Sequence, residues 1–345
     1  MGGCDGLTNF SDPGSSVSAE NCRIDRDFLV SGGVPKDGIP ALTDPVMVSA
    51  DQATYLVDDS RVIGLHFDGK PTAIPHNILW HHEIVNLNGS DMDLAVTYCP
   101  LTGSSMAFDR ADLNGAEFGV SGLLFKNNLT MYDRRSGESL WPQMNREAGC
   151  GPNAGTALTM FPVVEMTWGG WRELHPDTEV ISANTGFSRG YREEHYPYGN
   201  YEQVDNAGLL FDMPIDERRP PKERLLGIAE GRGGQAFPFG ALDNGEPYRV
   251  VETTLAGAPA VVLWSRSRRG AMAFRPTSDD RSLSLEARED GIYDTETSSR
   301  WTIDGTAVSG DLEGSQLEPI SEAYVAFWFA WAAFQPETAL WTGND

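Results

Sequence analysis

Cys99 and His82 are the residues whose types and spacing point most directly to chemistry in this sequence. The alternating stretch from Asp93 to Tyr98 predicts a buried strand, and Cys99 follows it at the start of a Pro-Leu-Thr-Gly-Ser turn. Backbone amides at such a strand end lower the pKa of a thiol. His82 heads the motif His-Glu-Ile-Val-Asn, just before another predicted strand. We therefore expect both side chains on neighbouring strands that face one cavity.

A thiolate beside an imidazole supports more than one kind of chemistry. It forms a soft metal site that favours copper or zinc, and copper with redox activity is our leading interpretation. It also forms a nucleophile with its base, which would make a metal-free cysteine enzyme. A third interpretation is a non-catalytic protein in which the tyrosine-rich segment 191–201 covers a bound ligand. The ordinary alternative is a small buried cysteine and a histidine paired with a backbone carbonyl. An enzyme is favoured, with its reaction class open.

Five further side chains are candidates to support this site. They are Glu83, Ser121, Asn128, Met131 and Arg134. For Glu83 two roles are open: to accept the second ring N–H of His82, or to form a salt bridge directed outward. The three polar residues after it are candidates to bind substrate or to orient the two functional groups. Met131 offers a soft sulfur ligand, although an isoleucine at the matching position of the second half fits a core residue equally well.

The remaining histidines are predicted to have structural or peripheral roles. His81 would point to the opposite face of a strand from His82. For His66 and His76 we expect positions on the surface or at a pocket rim. His175 ends a predicted helix, where a cation favours the helix dipole, so capping is its expected role.

Two stretches of the chain carry one sequence pattern with small insertions and deletions. One begins R-V-I-G-L-H-F at Arg61, and the other begins R-L-L-G-I-A-E at Arg224. Shared positions are interpreted as scaffold; they include Gly64 with Gly227, Trp141 with Trp301, and Trp171 with Trp331. The candidate chemistry is not shared: the replacements are Ser265 for Cys99, approximately Tyr248 for His82, and Gln335 for His175. We therefore expect the first copy to hold the site and the second to complete the fold.

The pattern of short strands with a few helices predicts a β-rich α+β fold, built from two tandem diverged repeats packed as a pseudo-symmetric pair. Residues 1–37 are predicted to be a polar N-terminal tether, and residues 38–183 the first, site-bearing repeat. Residues 184–221 form a Tyr-, Gly- and Pro-rich connection or lid. Residues 222–345 form the second, degenerate repeat.

The charge balance excludes several classes of partner. The 345 residues include 26 basic and 50 acidic ones, giving a net charge of −24, which argues against nucleic acid and anionic lipid surfaces. No apolar run is long enough for a transmembrane span. The phosphate-binding loop, nucleophile elbow and His-Glu-x-x-His motifs are also absent, so no nucleotide cofactor is expected. A small molecule or metal ion is the predicted partner.

The N-terminal residues Met-Gly-Gly-Cys-Asp-Gly resemble the mature end of a bacterial lipoprotein. On this interpretation Cys4 carries a lipid anchor and the protein is extracytoplasmic, in the periplasm or at the cell surface. The alternatives are a flexible terminus with an isolated cysteine, or a disulfide between Cys4 and Cys22.

Nine motifs together are similar to a bacterial and archaeal family of unknown function, number 3179. They lie at Gly38 to Pro45, His82 to Asn86, Thr97 to Ser104, Phe118 to Leu124, Asn128 to Arg134, Ser139 to Gln143, His175 to Thr178, Pro220 to Arg224 and Ala326 to Trp331. The resemblance covers nearly the whole chain from Gly38 but implies no particular activity. Many relatives carry Cys-Pro-Leu-Cys, whereas Thr102 stands at the second cysteine position here. This difference argues against a mechanism that needs a vicinal dithiol.

Overall fold

The structure, a computed structural model, describes residues 20–135, 137–192 and 196–343. Cys4 and the lipid anchor predicted there lie outside these residues. The short strands and few helices confirm a β-rich architecture. Among the described residues, no helix is long and apolar enough to cross a membrane.

The elements of the first half end at residue 181. Its strands are β1 (Leu29–Ser31), β2 (Leu42–Thr43), β3 (Met47–Ser49), β4 (Arg61–Phe67), β5 (Lys70–Pro75), β6 (Ile84–Asn88), β7 (Asp93–Cys99), β8 (Ser104–Asp109), β9 (Phe118–Phe125), β10 (Asn128–Asp133), β11 (Leu140–Pro142), β12 (Met160–Phe161), β13 (Val164–Thr167) and β14 (Glu179–Ile181). Its helices are α1 (His76–His82) and α2 (Trp168–Leu174).

The elements of the second half begin at residue 224. Its strands are β15 (Arg224–Glu230), β16 (Gly233–Pro238), β17 (Tyr248–Leu255), β18 (Ala258–Ser265), β19 (Gly270–Arg275), β20 (Thr277–Ser278), β21 (Arg281–Ser282), β22 (Leu285–Arg288), β23 (Gly291–Asp294), β24 (Arg300–Trp301), β25 (Ala307–Ser309), β26 (Glu318–Pro319), β27 (Ala323–Phe327) and β28 (Ala339–Leu340). Its helices are α3 (Phe239–Leu242) and α4 (Trp328–Phe334).

Two large sheets combine strands from both halves of the chain. One has the order β2-β6-β7-β8-β27-β15-β16-β28, with β12 paired to β8. The other has the order β17-β18-β19-β13-β4-β5-β14-β3, with β26 paired to β19. Each sheet therefore joins a block from one half to a block from the other, and neither half forms its large sheet alone.

A tryptophan from a helix packs directly on a glycine in each large sheet. A Cβ atom on Gly64 would lie 2.4 Å from the ring of Trp171, and one on Gly227 would lie 2.2 Å from the ring of Trp331. Only glycine leaves room for these rings. The indole hydrogen bonds are also alike: Trp171 Nε1 donates to Thr178 Oγ1 at 2.8 Å, and Trp331 Nε1 donates to Thr338 Oγ1 at 2.9 Å. These shared tryptophans are therefore architectural, as predicted.

Two four-stranded sheets complete the fold, with orders β1-β9-β10-β11 and β22-β23-β24-β25. Each contains a buried aspartate that accepts an indole N–H. The bonds run from Trp141 Nε1 to Asp133 Oδ2 at 2.8 Å and from Trp301 Nε1 to Asp294 Oδ2 at 3.0 Å. These positions hold the turns in place and leave the chemistry to other residues.

Two local expectations were wrong. Cys22 forms its disulfide with Cys150, 128 residues away, so Cys22 is not available to Cys4. His81 lies on α1 and not on a strand, because the segment after Pro75 coils into a helix that continues to His82. The chain then turns at Glu83, whose φ of 56° ends the helix before β6 begins.

Candidate functional site

Cys99 lies at the end of β7 and is buried, with 1% of its surface exposed. The backbone N–H of Leu129 donates to its sulfur at 3.2 Å. Burial raises the pKa of the thiol to about 11, and the charge of Glu83 adds to this, against the opposing hydrogen bonds from Thr102 and Leu129. In this conformation the thiol is protonated at neutral pH, so it is neither an activated nucleophile nor a preformed thiolate ligand.

Both ring nitrogens of His82 already have partners other than Cys99. Nδ1 lies 2.7 Å from the carbonyl oxygen of Pro40, and Nε2 lies 2.5 Å from the hydroxyl of Tyr191. Burial lowers the pKa of this histidine, and the bond to Pro40 offsets part of that effect. His82 therefore has the backbone-carbonyl partner expected of a structural histidine, and a tyrosine hydroxyl as its second partner.

Glu83 is the titratable side chain whose charge acts on Cys99. It is buried, and its carboxyl forms no hydrogen bond or ion pair with any residue that the structure describes. Burial raises its pKa to about 8, so the carboxyl is mostly neutral at pH 7. A buried carboxyl without a partner on a left-handed backbone is typical of a functional position.

The tyrosine-rich segment covers the turn that follows Cys99. The hydroxyl of Tyr196 donates to the carbonyl oxygen of Pro100, and that of Tyr201 donates to the carbonyl oxygen of Leu101 at 2.9 Å. Residues 193–195 of this segment lie outside the described residues. The described tyrosines hold the turn through its backbone, which keeps the thiol away from solvent.

Asn128 supports the turn that follows Cys99 through buried hydrogen bonds. Its side-chain N–H groups donate to Thr102 Oγ1 at 3.0 Å and to Gln143 Oε1 at 2.8 Å. Its Oδ1 accepts the backbone N–H of Met144 at 2.9 Å. Asn128 therefore acts on the Cys99 turn through Thr102, as a positioning residue.

The other supporting candidates lie elsewhere. Ser121 donates to Thr130 O at 2.5 Å, where the pairing of β9 with β10 shifts register. Met131 is fully buried in the apolar core. The guanidinium of Arg134 pairs with Asp37 at 2.8 Å near the surface. Ser121 and Arg134 form no described contact with Cys99, and Met131 shares with Cys99 only the apolar core cluster in which both are buried.

A separate cluster brings together His66, His175 and Asp304, and we call it the histidine–aspartate cluster. Its ligand atoms all lie within 4.8 Å of one another. Nε2 of His175 is 2.7 Å from Oδ2 of Asp304, and the rings of His66 and His175 meet edge to face with centroids 5.1 Å apart. Two imidazoles and one carboxylate are a common donor set for transition metals, so this cluster is a candidate metal site.

Three different elements position the cluster. His66 lies near the end of β4, and His175 is the C-cap residue of α2, which confirms its predicted capping position. The His175 ring also packs against Trp171, with centroids 4.2 Å apart. Asp304 lies in the turn between β24 and β25, where the hydroxyl of Thr302 donates to its second carboxylate oxygen. The ring packing and the hydroxyl bond limit how far the ligands turn.

The electrostatics of the cluster favour the forms that bind metals. Burial lowers the pKa of His66, and the nearby His175 lowers it further. Burial alone would raise the pKa of Asp304, but hydrogen bonds from His175 and Thr302 outweigh it and the net shift is downward. At neutral pH, His66 therefore keeps a free lone pair and Asp304 is ionised.

Sequence reasoning missed this cluster because its members are far apart in the chain. His66 was expected on the surface or at a rim, and Asp304 was not singled out. One signal was present: both histidines are replaced in the second copy, His66 by Ala229 and His175 by Gln335. The comparison of copies that selected Cys99 also selects these histidines once their proximity is known.

A second buried charge cluster surrounds Glu165, beside a cavity of about 590 Å³. Its carboxylate lies 2.7 Å from Arg61 Nη2 and 3.2 Å from Arg224 Nη1. Burial would raise the pKa of Glu165, but the charges of Arg61 and Arg224 lower it to about 2. His76 is 1% exposed and lies 3.6 Å from the same carboxylate, and burial lowers its pKa to about 3. The surface position expected for His76 was therefore wrong, although the residue does border this cavity.

Comparison with known proteins supports the resemblance seen in the motifs. A family model described as "Protein of unknown function (DUF3179)" matches residues 36–338. No curated protein and no solved structure matches the chain. The match spans nearly all of the chain and includes the Cys99 turn, the histidine–aspartate cluster and the Glu165 cluster. The protein therefore belongs to the DUF3179 family.

Proposed function

We propose that the protein binds a divalent transition-metal ion through His66, His175 and Asp304. The observation that carries this proposal is the convergence of three ligand atoms to within 4.8 Å from three separate elements. Metal–ligand bonds of about 2.0–2.2 Å in a tetrahedral site separate ligand atoms by about 3.3–3.6 Å. The 2.7 Å contact between His175 and Asp304 would lengthen by about 0.6–0.9 Å, and a separation at the 4.8 Å limit would shorten by about 1.2–1.5 Å.

The donor set indicates the class of ion and of site. Two imidazoles and a carboxylate suit Zn²⁺, Cu²⁺ and Fe²⁺, and Cu²⁺ is expected to bind most tightly among these. Three protein ligands leave a coordination position for water or substrate, which is typical of catalytic sites and not of structural ones. His66 is solvent-exposed, so that position is accessible. We therefore favour metal-dependent chemistry on a small molecule over a purely structural metal.

Metal titration calorimetry on chelator-treated protein tests this proposal. We expect one equivalent of Zn²⁺ or Cu²⁺ to bind, with affinity reduced about 100-fold or more in His175→Ala, a loss of about 2.7 kcal/mol. Cys99→Ala is the matched control, because it removes the only thiol ligand among the described residues and leaves the cluster intact. If Cys99→Ala abolishes binding while His175→Ala does not, the metal lies at the Cys99–His82 pair and this assignment is wrong.

The cysteine-nucleophile alternative now involves Glu83 and not His82. Glu83 is the unpaired buried carboxyl whose charge acts on the thiol, whereas His82 is bonded to Pro40 and Tyr191. This alternative requires the tyrosine segment to move away from the turn. It predicts that Tyr201→Phe, which removes the bond to Leu101, speeds alkylation of Cys99 by iodoacetamide. An unchanged alkylation rate would count against it.

We also propose that the chain consists of two diverged copies that exchange strands, in an extracytoplasmic protein. The strand orders of the two large sheets correspond element by element, from β6 to β28 and from β17 to β14, and their Gly–Trp–Thr contacts match. Both observations support two diverged copies. The disulfide between Cys22 and Cys150 supports an extracytoplasmic location, because structural disulfides persist mainly in oxidising compartments. Cell fractionation with thiol labelling tests the location: a reduced Cys22 in a cytoplasmic pool would contradict it.

A further inference from the structure

A cavity of about 1030 Å³ lies between the N-terminal segment, the turn from β9 to β10, and the end of α4. Four basic side chains line it: Arg23, Lys126, Arg146 and Arg232. We call it the basic cavity. Three acidic residues also line it: Asp25, Glu147 and Glu322. The protein as a whole has 26 basic and 50 acidic residues, so an excess of basic groups at one cavity differs from its general surface. Such an excess favours an anionic ligand.

Three of the four cations of the basic cavity are not paired with any carboxylate that the structure describes; the exception is Arg232, which lies 3.7 Å from Glu337. Among the described residues, no carboxylate oxygen lies within 4.0 Å of the charged nitrogens of Arg23, Lys126 or Arg146. Lys126 donates to the carbonyl of Ala333 at 2.8 Å, and Arg146 donates to that of Gly231 at 3.5 Å. Their charges are therefore available to a ligand.

The cavity of about 590 Å³ beside Glu165 provides a contrast. Each of its arginines already has a carboxylate partner. The pairs are Arg61 with Glu165, Arg224 with Glu165 and Glu202, and Arg269 with Asp59. Positive charge at that cavity is neutralised within the protein, so an anionic ligand would compete with existing ion pairs there.

Two residues that line the basic cavity each have a buried polar atom without a hydrogen-bond partner in the described part of the chain. Gln335 is 2% exposed and its Oε1 accepts no hydrogen bond, and the buried Nε of Arg146 donates none. Buried polar groups are normally paired because leaving them unpaired costs free energy. Oε1 can only accept and Nε can only donate, so a ligand that satisfies both carries an acceptor and a donor.

Part of the remaining wall of the cavity is apolar. It includes the side chains of Phe28, Phe125, Met144 and Phe334. Phe125 and Phe334 meet edge to face with centroids 5.8 Å apart, which gives the wall a rigid aromatic part. A ligand of this cavity therefore has an apolar or aromatic body in addition to its polar end.

We propose that the basic cavity binds a small organic carboxylate that has a hydrogen-bond donor, such as a hydroxyl, beside the carboxylate and an apolar body. The carboxylate accepts from Arg146 and is held by the charge of Lys126. The donor pairs with Gln335 Oε1, and the apolar body packs on the phenylalanine wall. This site shares no residue with the histidine–aspartate cluster, so the two proposals stand independently.

The disulfide connects this site to the N-terminal segment. Cys22 is bonded to Cys150, and the backbone N–H of Arg23 donates to Gly149 O at 2.8 Å. These two links fix the segment that supplies Arg23 and Phe28 to the cavity. Reduction of the disulfide is therefore expected to weaken ligand binding.

Calorimetry on metal-free protein with three related probes tests the proposal. Mandelate has a ring, a carboxylate and a hydroxyl; phenylacetate lacks the hydroxyl, and 1-phenyl-1,2-ethanediol lacks the carboxylate. We expect mandelate to bind with one-to-one stoichiometry and phenylacetate about 3- to 10-fold more weakly. The diol is expected to give no measurable binding, because it does not compensate the cations.

Substitutions locate the binding. Arg146→Gln is expected to weaken mandelate binding about 10-fold or more, and the exposed Arg23→Gln about 3-fold. Arg146→Lys keeps the charge and should recover part of the loss. Arg281→Gln is the control, because Arg281 is also exposed but does not line the cavity, and His175→Ala should leave mandelate binding unchanged.

Three outcomes would overturn the proposal. One is equal affinity for mandelate and the diol, which would indicate an apolar pocket without anion recognition. Another is an unchanged affinity in both Arg23→Gln and Arg146→Gln. The third is the absence of any mandelate binding up to about 10 mM, a free energy weaker than about −2.7 kcal/mol. Because Arg23 is exposed, its variant is expected to fold even if the Arg146 variants do not.

Discussion

Two regions of the molecule have the same backbone arrangement and different side chains. We call them the first corner, around His175 at the end of α2, and the second corner, around Gln335 at the end of α4. In each corner a helix packs a tryptophan on a glycine of a large sheet. The residue after the helix donates its backbone N–H to the carbonyl of that tryptophan. These bonds run from His175 N to Trp171 O at 2.8 Å and from Gln335 N to Trp331 O at 2.7 Å. Each corner also contains a turn residue with positive φ, Gly305 in the first and Arg146 in the second. The carbonyl of Gly305 accepts from Leu317 N at 2.9 Å, and that of Arg146 accepts from Leu158 N at 2.8 Å.

The difference between the corners lies in three side chains. The first corner has His66, His175 and Asp304, and the corresponding positions of the second have Ala229, Gln335 and Asn145. The first set combines two imidazoles with a carboxylate and favours a cation. The second has no charge of its own and lies beside three basic side chains, Arg23, Lys126 and Arg146, that have no carboxylate partner among the described residues, which favours an anion. The backbone therefore sets where a site forms, and a few side chains set which ion it favours.

Among the substitutions that compare the two halves of the chain, Glu165→Gln is expected to have the largest effect on stability. Glu165 lies on β13, opposite Ala271, whereas the corresponding position on β27 is Val325, opposite Ser105. In Glu165→Gln the guanidiniums of Arg61 and Arg224 lose a buried counter-charge. We expect a loss of about 3–5 kcal/mol in the free energy of unfolding at neutral pH, measured by urea denaturation.

Low pH reduces the difference in stability between the wild-type protein and Glu165→Gln, and the lowered pKa of Glu165 determines this direction. Its folded pKa of about 2 lies below the ordinary value of 4.5, so its stabilisation is present above pH 4.5 and is lost as the pH falls towards 2. The control is Glu179→Gln, which breaks the exposed ion pair with Lys70 and should cost much less stability. Equal losses in the two variants would show that the Glu165 cluster does not stabilise the junction of the two sheets.

Asp304→Asn makes the first corner resemble the second, where Asn145 stands. The amide keeps the shape and an oxygen acceptor but removes the charge that attracts a cation. We expect metal affinity to fall about 100-fold, or about 2.7 kcal/mol, with little change in stability. The measurement is Zn²⁺ calorimetry beside a thermal unfolding curve. Asp290→Asn is a matched control, because that aspartate is exposed and lies outside the cluster. Unchanged affinity would mean that the contact between His175 and Asp304 is an ordinary ion pair.

Part of the scaffold was predictable from the sequence, because its residue types recur at matching positions in both halves of the chain. The sequence matched Gly64 with Gly227 and Trp171 with Trp331, whereas the packing of each ring on its glycine is seen only in the structure. The β-rich class followed from the short alternating stretches. The exchange of strand blocks between the two sheets was not predictable, because nothing in the local pattern states which half a strand pairs with.

The geometry of the Cys99–His82 pair shows where sequence reasoning stopped. The pairing of Ile84 with Thr97 would place His82 opposite Cys99 if the ladder continued. In the second half the ladder does continue, and Tyr248 pairs with Ser265. In the first half α1 occupies these residues as far as His82, so the histidine leaves the sheet before it reaches the cysteine. Helix length decides this difference, and neighbouring residues alone do not predict it to within one position.

Glu83 gives the smallest and most specific test of the same difference. The corresponding ladder residue of the second half is Arg249, whose guanidinium donates to Ala241 O and Gly343 O, each at 3.0 Å. Glu83 has no such partner among the described residues, and burial raises its pKa to about 8. Between pH 4.5 and 8 the unfolded chain has lost this proton and the folded chain keeps it, so stability falls as the pH rises.

Glu83→Gln removes this pH dependence, because an amide does not ionise. From about pH 6 to about pH 7.5 the wild-type protein is expected to lose about 2 kcal/mol of stability relative to the variant. Urea unfolding at the two pH values measures the difference, and the exposed Glu289→Gln controls for the loss of one charge. If wild type and Glu83→Gln instead keep a constant difference across this range, the carboxyl is ionised in the folded protein. It would then lack the neutral form that lets a buried acid donate a proton beside Cys99, and the cysteine chemistry would have no acid partner on this side of the turn.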